Sequence, residues 1–458
     1  MNRKIKQISV GFIALGCPKN VVDSERMLGE IAKSGLLIAE EPDEADVVVI
    51  NTCAFIEPAI EESLESIREA ITWKTDKKRC VKKVIVAGCL SERVGHALLE
   101  RVKGIDAIVG LEYRDKIAEI IQETQISDEP VVYIGEKQGT HVTIIHDDRT
   151  RLLINPGHWA YLRISEGCNR RCSFCTIPSI RGPFRSKPLG MVIAEANELV
   201  SNGIVELNII AQDTTYYGRD LNIKNGLISI LNQLETIDSL EWIRLMYLYP
   251  TGISDELIDT ISKSKKIVHY LDIPIQHIND SILKSMHRPD SKTQILQLIE
   301  NIRSAIPDIV LRTTIIVGFP GETDQQFNEL VEFIDGAQFD ALGCFKYYPE
   351  EGTDAAKMPK QIPDNIKIER LEEIMLRQQE IVFKKNRDRI GHKMTCLIDS
   401  IESKHNAKGR FFGQAPDIDS VCLIKSKAGK LNHLLSPGRF VEVKVVDFKE
   451  YDLIVEPI

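Results

Sequence analysis

The 458-residue chain has no apolar run approaching the ~18 residues of a membrane-spanning helix; clusters such as Val47–Ile50 and Ile315–Val317 are short. Nor has it an excess of basic residues. Its 58 Lys and Arg stand against 67 Asp and Glu, a net charge of −9. Bulk attraction to nucleic acid or to an anionic membrane is therefore not its organising force. It also lacks the composition of a disordered chain, being 43% hydrophobic and 27% charged. That length implies about two to four domains. What it has is ten cysteines. They are too sparse for a disulfide mini-scaffold, so their spacing must say what they do.

The start imitates a lipoprotein leader: a basic head, Met1–Gln7, then Ile8–Gly16 and Cys17. The apolar run is short and Pro18 follows the cysteine, so the segment is expected to be a buried first strand. Residues 1–125 then repeat one pattern three times. Ile8–Leu15 runs into Gly16-Cys17 and a helix over Val22–Lys33; Asp46–Ile50 runs into Cys53 and a helix over Pro58–Ile71. Lys83–Ala87 runs into Gly88-Cys89 and a helix over Ser91–Val102. Near-continuous hydrophobicity in each strand predicts a parallel α/β sheet covered on both faces. Each cysteine follows the carboxyl end of its strand, so three thiols should converge on the edge where such sheets bind ligands. Cys80 precedes its strand and belongs at the opposite edge.

Residues 126–157 are more polar, with Lys137–Thr140 and His146–Thr150, and read as a linker with some extended structure. From His158 to Phe345 strand and helix alternate again. Six strands are expected at Trp159–Ile164, Glu206–Ala211, Trp242–Leu248, Val268–Ile273, Ile309–Val317 and Phe339–Phe345. Six such units predict a partial (βα)6 barrel, 158–386, with chemistry at the carboxyl ends of its strands. A charged helix, Asp364–Arg389, leads to residues 387–458. There, short strands at Met394–Asp399, Gly409–Ala415, Ser420–Ile424, Phe440–Val446 and Leu453–Val455 predict a small five-stranded β-barrel of the oligonucleotide-binding sort. Phe411-Phe412 could stack bases there, although the segment is only slightly basic.

The strongest signal follows the first barrel strand: Cys168, Cys172 and Cys175, in the spacing C-x-x-x-C-x-x-C. Structural zinc wants four protein ligands, and the next cysteine is Cys344; His158 could be a fourth ligand but lies before the strand. A disulfide would leave one thiol over. A cubane iron–sulfur cluster held by three thiolates keeps one iron open, which an enzyme needs if it is to bind and reduce a substrate there.

This loop resembles that of the radical S-adenosylmethionine superfamily, including the aromatic Phe174 before the last cysteine. The resemblance implies that the open iron chelates S-adenosylmethionine, which is cleaved to a 5′-deoxyadenosyl radical, with Phe174 against the adenine. Gln212-Asp213 and Gly318–Glu322, after the second and fifth barrel strands, would then bind the cofactor through Gln212 and Gly318. Each segment also has a plain reading as a capped turn. Gln276-His277 faces the same mouth, His277 reading as a structural histidine.

The three-domain order resembles the methylthiotransferase family, the last domain being TRAM-like. Gly16–Asn20 with Asp23–Glu25, Asn51–Cys53, Gly88–Leu90, Ile164–Cys168, Ile177–Gly182 and Leu271–His277 match its RimO branch. That resemblance implies two 4Fe–4S clusters, on Cys17, Cys53 and Cys89 and on Cys168, Cys172 and Cys175. It implies methylthiolation of the β-carbon of an aspartate in a small-subunit ribosomal protein near the decoding centre. A ferredoxin- or flavodoxin-type electron donor, a sulfur donor and a cytoplasmic location follow, with RNA contact through the C-terminal domain and no membrane partner. The alternatives are methylthiolation of a tRNA adenosine by the sister branch, and a non-catalytic iron–sulfur or zinc RNA-binding protein. Cys80, Cys344, Cys396 and Cys422 read as ordinary free thiols of a reducing compartment.

Overall fold

The computed structural model describes residues 7–135, 145–425 and 436–458. Val- and Ile-rich runs form the first sheet: β1 Ser9–Ala14, β2 Leu37–Ile38, β3 Val47–Thr52, β4 Lys83–Gly88, β5 Ala107–Val109 and β6 Val131–Tyr133, all parallel, in the order β2-β1-β3-β4-β5-β6. β6 lies inside the segment read as a linker. It is the extended structure expected there, although three residues are too short for periodicity to place it. Around the sheet pack α1 Pro18–Lys33, α2 Glu57–Thr75, α3 Cys89–Val94, α4 Ala97–Arg101 and α5 Ile117–Ile126. The helix expected over Ser91–Val102 is thus two helices, broken at Gly95, whose φ is +60°.

α1 begins directly after Cys17, four residues earlier than its apolar pattern suggested, with Pro18 in its first turn. Its polar residues are buried: Lys19, Asn20, Asp23, Ser24, Glu25 and Arg26. The reason is that α1 is sandwiched between its own sheet and the second domain. The remaining polar stretch of the supposed linker is likewise no solvated loop. Asp148 is fully buried, bonding Arg163 at 2.7 Å and closing on Lys187 and Arg26. Charge complementarity draws it in, since these three buried cations surround it. Lys137–Thr140 lie outside the described residues.

The second domain is an open barrel of β7 Trp159–Arg163, β10 Glu206–Ile210, β11 Trp242–Leu245, β12 Ile267–Asp272, β13 Val310–Val317 and β14 Ala341–Lys346. These strands are parallel and in sequential order. A small hairpin, β8 Ser165–Glu166 with β9 Arg185–Ser186, frames the cysteine loop and the short helix α6 Ile177–Arg181. After the helix Asp364–Arg389 comes a closed barrel of β15 Lys393–Ile401, β16 Asn406–Phe411, β17 Cys422–Lys425, β18 Phe440–Lys449 and β19 Asp452–Pro457. It docks on the amino-terminal rim of the larger barrel. Arg410 bonds Glu206 at 2.7 Å, and Arg244 donates to the carbonyl of Phe412 at 2.6 Å. Phe411, only 6% exposed, packs into that junction, so it offers no face for stacking bases. Cys396 and Cys422 are buried together in the small barrel, while Cys80 is exposed. His158 bonds Asp399 at 2.9 Å and is no ligand to the cysteine loop. Among the described residues no helix is long and apolar enough to cross a membrane.

Candidate metal centre

The amino-terminal cysteines meet because each strand end turns sharply. Gly16 has φ +92° and Gly88 φ +94°, conformations that favour glycine. A Cβ on Gly16 would lie 2.7 Å from Cys53 Cβ, and one on Gly88 would lie 2.3 Å from Asn51 Oδ1. Glycine before the cysteine is thus what lets adjacent strand ends close up. Cys17 caps α1, Cys53 follows β3 and Cys89 opens α3. Burial pushes the Cys53 thiol up, and the Cys89 thiol up to about 12 despite Arg181 beside it.

The barrel cysteines lie in the loop after β8. Cys168 N–H bonds the carbonyl of Gly182 at 3.1 Å, and Cys175 N–H bonds that of Cys172 at 3.1 Å. Backbone amides of Arg170 and Ile177 donate to Cys168 and Cys175 sulfurs at 3.4 and 3.5 Å. Burial raises all three thiols, Cys168 to about 11. Among the described residues no three His, Cys, Asp or Glu side chains converge closely enough to share a single metal ion. A mononuclear zinc site needs that convergence. A cubane does not, because each thiolate takes its own iron, and a set of three thiols suits a cluster with one iron left open.

The loop of the barrel triad touches the first domain beside that domain's own three cysteines. Arg181, at the end of α6 in the cysteine loop, reaches over to the first domain. It donates to Cys89 Sγ at 3.3 Å, Asn20 Oδ1 at 2.5 Å and Asp23 at 3.0 Å, while holding Glu166 at 3.0 Å. Asp23 also pairs with Arg163 of β7 at 2.5 Å and with Arg114. Burial alone would raise Glu166, yet Arg181 and Arg163 hold it down to about 2. On the other flank Glu350 accepts from the Glu57 backbone and from Arg93, both at 2.8 Å, and Thr176 bonds the Phe55 carbonyl at 3.2 Å.

Lys19, two residues past Cys17, enters the barrel mouth and rests its Nζ 3.1 Å from the centre of the Tyr247 ring. It is 6% exposed, and burial pushes its ammonium down to about 8. Arg170 and Arg288 stack on Tyr249, 3.7 and 4.2 Å from the ring centre, beside Cys172.

Of the expected cofactor contacts, Phe174 packs with Ile282, Met286, Phe319 and Tyr347. Gln212 donates to Glu166 at 3.0 Å, leaving its own buried Oε1 without a partner among the described residues. Gly318 has φ +71° and its amide bonds Glu322. Its near neighbour is Lys367, which accounts for glycine there without any ligand. His277 Nδ1 accepts from the Asn279 amide at 3.0 Å, and its Nε2 faces Glu322 at 4.0 Å. Arg181 and Lys19 had been passed over, although both stand in motifs already singled out. The available signal was a cation within a few residues of a cluster cysteine in a tight Pro- or Gly-bearing turn. A surface concavity of about 690 Å³ lies between two helices outside the barrel and includes no cysteine.

The chain matches the Radical SAM superfamily over residues 162–334, the Uncharacterized protein family UPF0004 over 9–110 and the TRAM domain over 390–458. Among curated relatives, a Geobacter sulfurreducens protein named ribosomal protein uS12 methylthiotransferase RimO is 45% identical over 98% of both chains. A protein of the same name from Syntrophomonas wolfei is 43% identical over 98% of this chain and 100% of its own. The solved radical S-adenosylmethionine methyltransferase TsrM from Kitasatospora setae has the same fold at TM-score 0.53 and 14% identity, covering 74% of this chain and 73% of its own.

Proposed function

This chain belongs to the RimO branch of the radical S-adenosylmethionine methylthiotransferases, and from that premise we propose that it methylthiolates the β-carbon of an aspartate in ribosomal protein uS12, near the decoding centre. The observation that carries the reading is Arg181, which ends the barrel's cysteine loop and donates both to Cys89 Sγ of the first domain and to Glu166 of its own. A β-C–H is unactivated, so acid–base chemistry cannot readily replace its hydrogen with sulfur.

In this reading Cys168, Cys172 and Cys175 hold one 4Fe–4S cluster, and Cys17, Cys53 and Cys89 hold a second. When bound, the clusters and S-adenosylmethionine supply a reductively generated carbon radical and a transferable methylated sulfur. The chain's own residues do the remaining work. Phe174 packs against the cofactor's adenine. Gln212 offers its unpartnered Oε1 to the cofactor ammonium, while Glu166 fixes the other end of the amide. The Gly318 turn closes the opposite side of the mouth. Arg181 keeps the domains in register and dresses the Cys89 sulfur with an N–H bond. Electrons come from a ferredoxin- or flavodoxin-type donor and sulfur from a separate donor, in the cytoplasm. The TRAM domain contacts RNA on a surface other than that of Phe411.

The test is product mass. Anaerobically reconstituted enzyme is incubated with uS12, with tRNA, or with both. A methylthio mass gain on one aspartate of uS12 is expected; a gain on tRNA and none on uS12 overturns the assignment.

A further inference from the structure

Every buried cation around the junction of the two triads has an anion beside it, with one exception. Arg163 and Arg181 share Asp23 and Glu166, Arg170 bonds Asp213 at 2.8 Å, and Arg288 lies 3.4 Å from Asp290. Lys19 alone among these forms no ion pair or hydrogen bond with any described residue; its Nζ rests on the Tyr247 ring. Of the negative groups whose fields reach it, Cys17 comes first and would be taken up as a cluster ligand, and the two carboxylates are already engaged elsewhere. Asp272 accepts from Arg312 at 2.9 Å and from the Tyr247 amide at 3.1 Å, and Glu166 is held by Arg163, Arg181 and Gln212.

A cation buried without its own anion is costly, and an aromatic face repays only part of that cost. Lys19 also stands in the first turn of the 16-residue α1, whose positive dipole end points into the same space. Two positive features thus converge where the first domain meets Tyr247 at the barrel mouth, next to Cys17. We propose that Lys19 is the receptor for the side-chain carboxylate of the target aspartate, fixing that residue between the triads and selecting Asp over its uncharged isostere Asn. The inference rests on the proposed function, since it takes an aspartate as the target. A cofactor contact is disfavoured by position: Lys19 belongs to the first domain, beside Cys17, whereas Arg170, Arg288 and Tyr249 surround the barrel triad.

The test measures binding rather than turnover. Cluster-loaded full-length enzyme, with S-adenosylmethionine and no reductant, is titrated with a uS12 loop peptide carrying Asp or Asn at the modified position. The wild type is expected to prefer Asp by about tenfold or more, the scale of a charge-assisted hydrogen bond. Lys19→Met should bind both peptides alike, and Lys19→Arg should restore the preference. Iron is assayed on each variant, with Lys19→Gln replacing Lys19→Met where iron is lost. An undiminished preference in the neutral variants overturns the role of Lys19 and leaves the proposed function standing. So does a loss of S-adenosylmethionine affinity matching the loss of Asp peptide affinity, which would make Lys19 a cofactor contact. Equal binding of both peptides by the wild type overturns the role without any variant. A wild type that binds neither peptide nor intact uS12 overturns the proposed function itself.

Discussion

Replacing Asp23 by Asn tests whether the junction between the domains is held by charge. The substitution keeps the shape of the side chain and removes its negative charge from among three buried arginines. Arg163 would keep Asp148 at 2.7 Å and Glu166 at 2.9 Å, and Arg181 would keep Glu166 at 3.0 Å. Arg114, fully buried, would keep its bond to the Leu111 carbonyl at 2.6 Å but have only Glu166, at 3.9 Å, as a carboxylate partner. One guanidinium is therefore nearly without an anion while two remain paired. That places the loss at the low end of the range for breaking a buried pair, about 3 kcal/mol. With an m-value of about 3 kcal/mol/M for a large unit, the urea midpoint should fall by about 1 M. Burial would raise the Asp23 carboxyl, but Arg114, Arg163 and Arg181 hold it far below the usual carboxylate range. A carboxyl depressed in the folded state stabilises fully above its unfolded value near ~3.9, and loses that contribution as pH falls towards the folded value. The gap between wild type and variant should therefore be flat from about pH 8 to pH 5 and shrink only in stronger acid. Urea titrations followed by circular dichroism across that range measure both quantities. A midpoint shift under about 0.3 M, or a gap that changes steadily through neutral pH, would refute the reasoning.

The triads should separate genetically. Cys172→Ala should abolish reductive cleavage of S-adenosylmethionine, whereas Cys17→Ala should lower iron from about eight to about four per chain and still permit cleavage, as read by iron analysis and chromatography of 5′-deoxyadenosine. Gly88→Ala sets a Cβ against Asn51 at positive φ; it should cost about 2 kcal/mol and impair loading of the amino-terminal triad, seen as a lower melting temperature and lower iron content. Arg410→Met removes the shared partner of buried Glu206 and partly exposed Asp399, so limited proteolysis should separate the C-terminal barrel from the rest far sooner than in the wild type.

What was legible from the sequence was whatever depends on local pattern. Val47–Ile50 and Lys83–Ala87 announced buried parallel strands, and the cysteines after them announced a shared edge. Six alternations of strand and helix announced the open barrel, and the helix Asp364–Arg389 lies where its pattern put it. What escaped depends on tertiary partners. Asp148 looked like part of a solvated linker because nothing local reveals that Arg163 and Lys187 await it. The first turn of α1 looked like a loop because helices rarely bury Lys, Asn and Asp together. Phe411 looked like a stacking face because its cover comes from a domain more than a hundred residues away. At the candidate site, strand-end position picks out Cys17, Cys53 and Cys89, spacing picks out Cys168, Cys172 and Cys175, and resemblance supplies the amino-terminal cluster. Lys19 and Arg181 could not be given roles, since a cation acquires a role only from the groups it meets.

The charged contact made by α1 also bears on how such proteins can be recombined. Asp23 and Glu25 on the first segment, Asp148 and Arg151 on the second, and Arg163, Arg181, Lys187 and Glu195 on the third form a continuous set of pairs. A chimera that exchanges only the first 125 residues would have to find every matching charge already present in its new host. The transferable unit is therefore the sheet, the strap around Asp148 and the cysteine loop together, whatever the boundaries of its recognisable domains suggest.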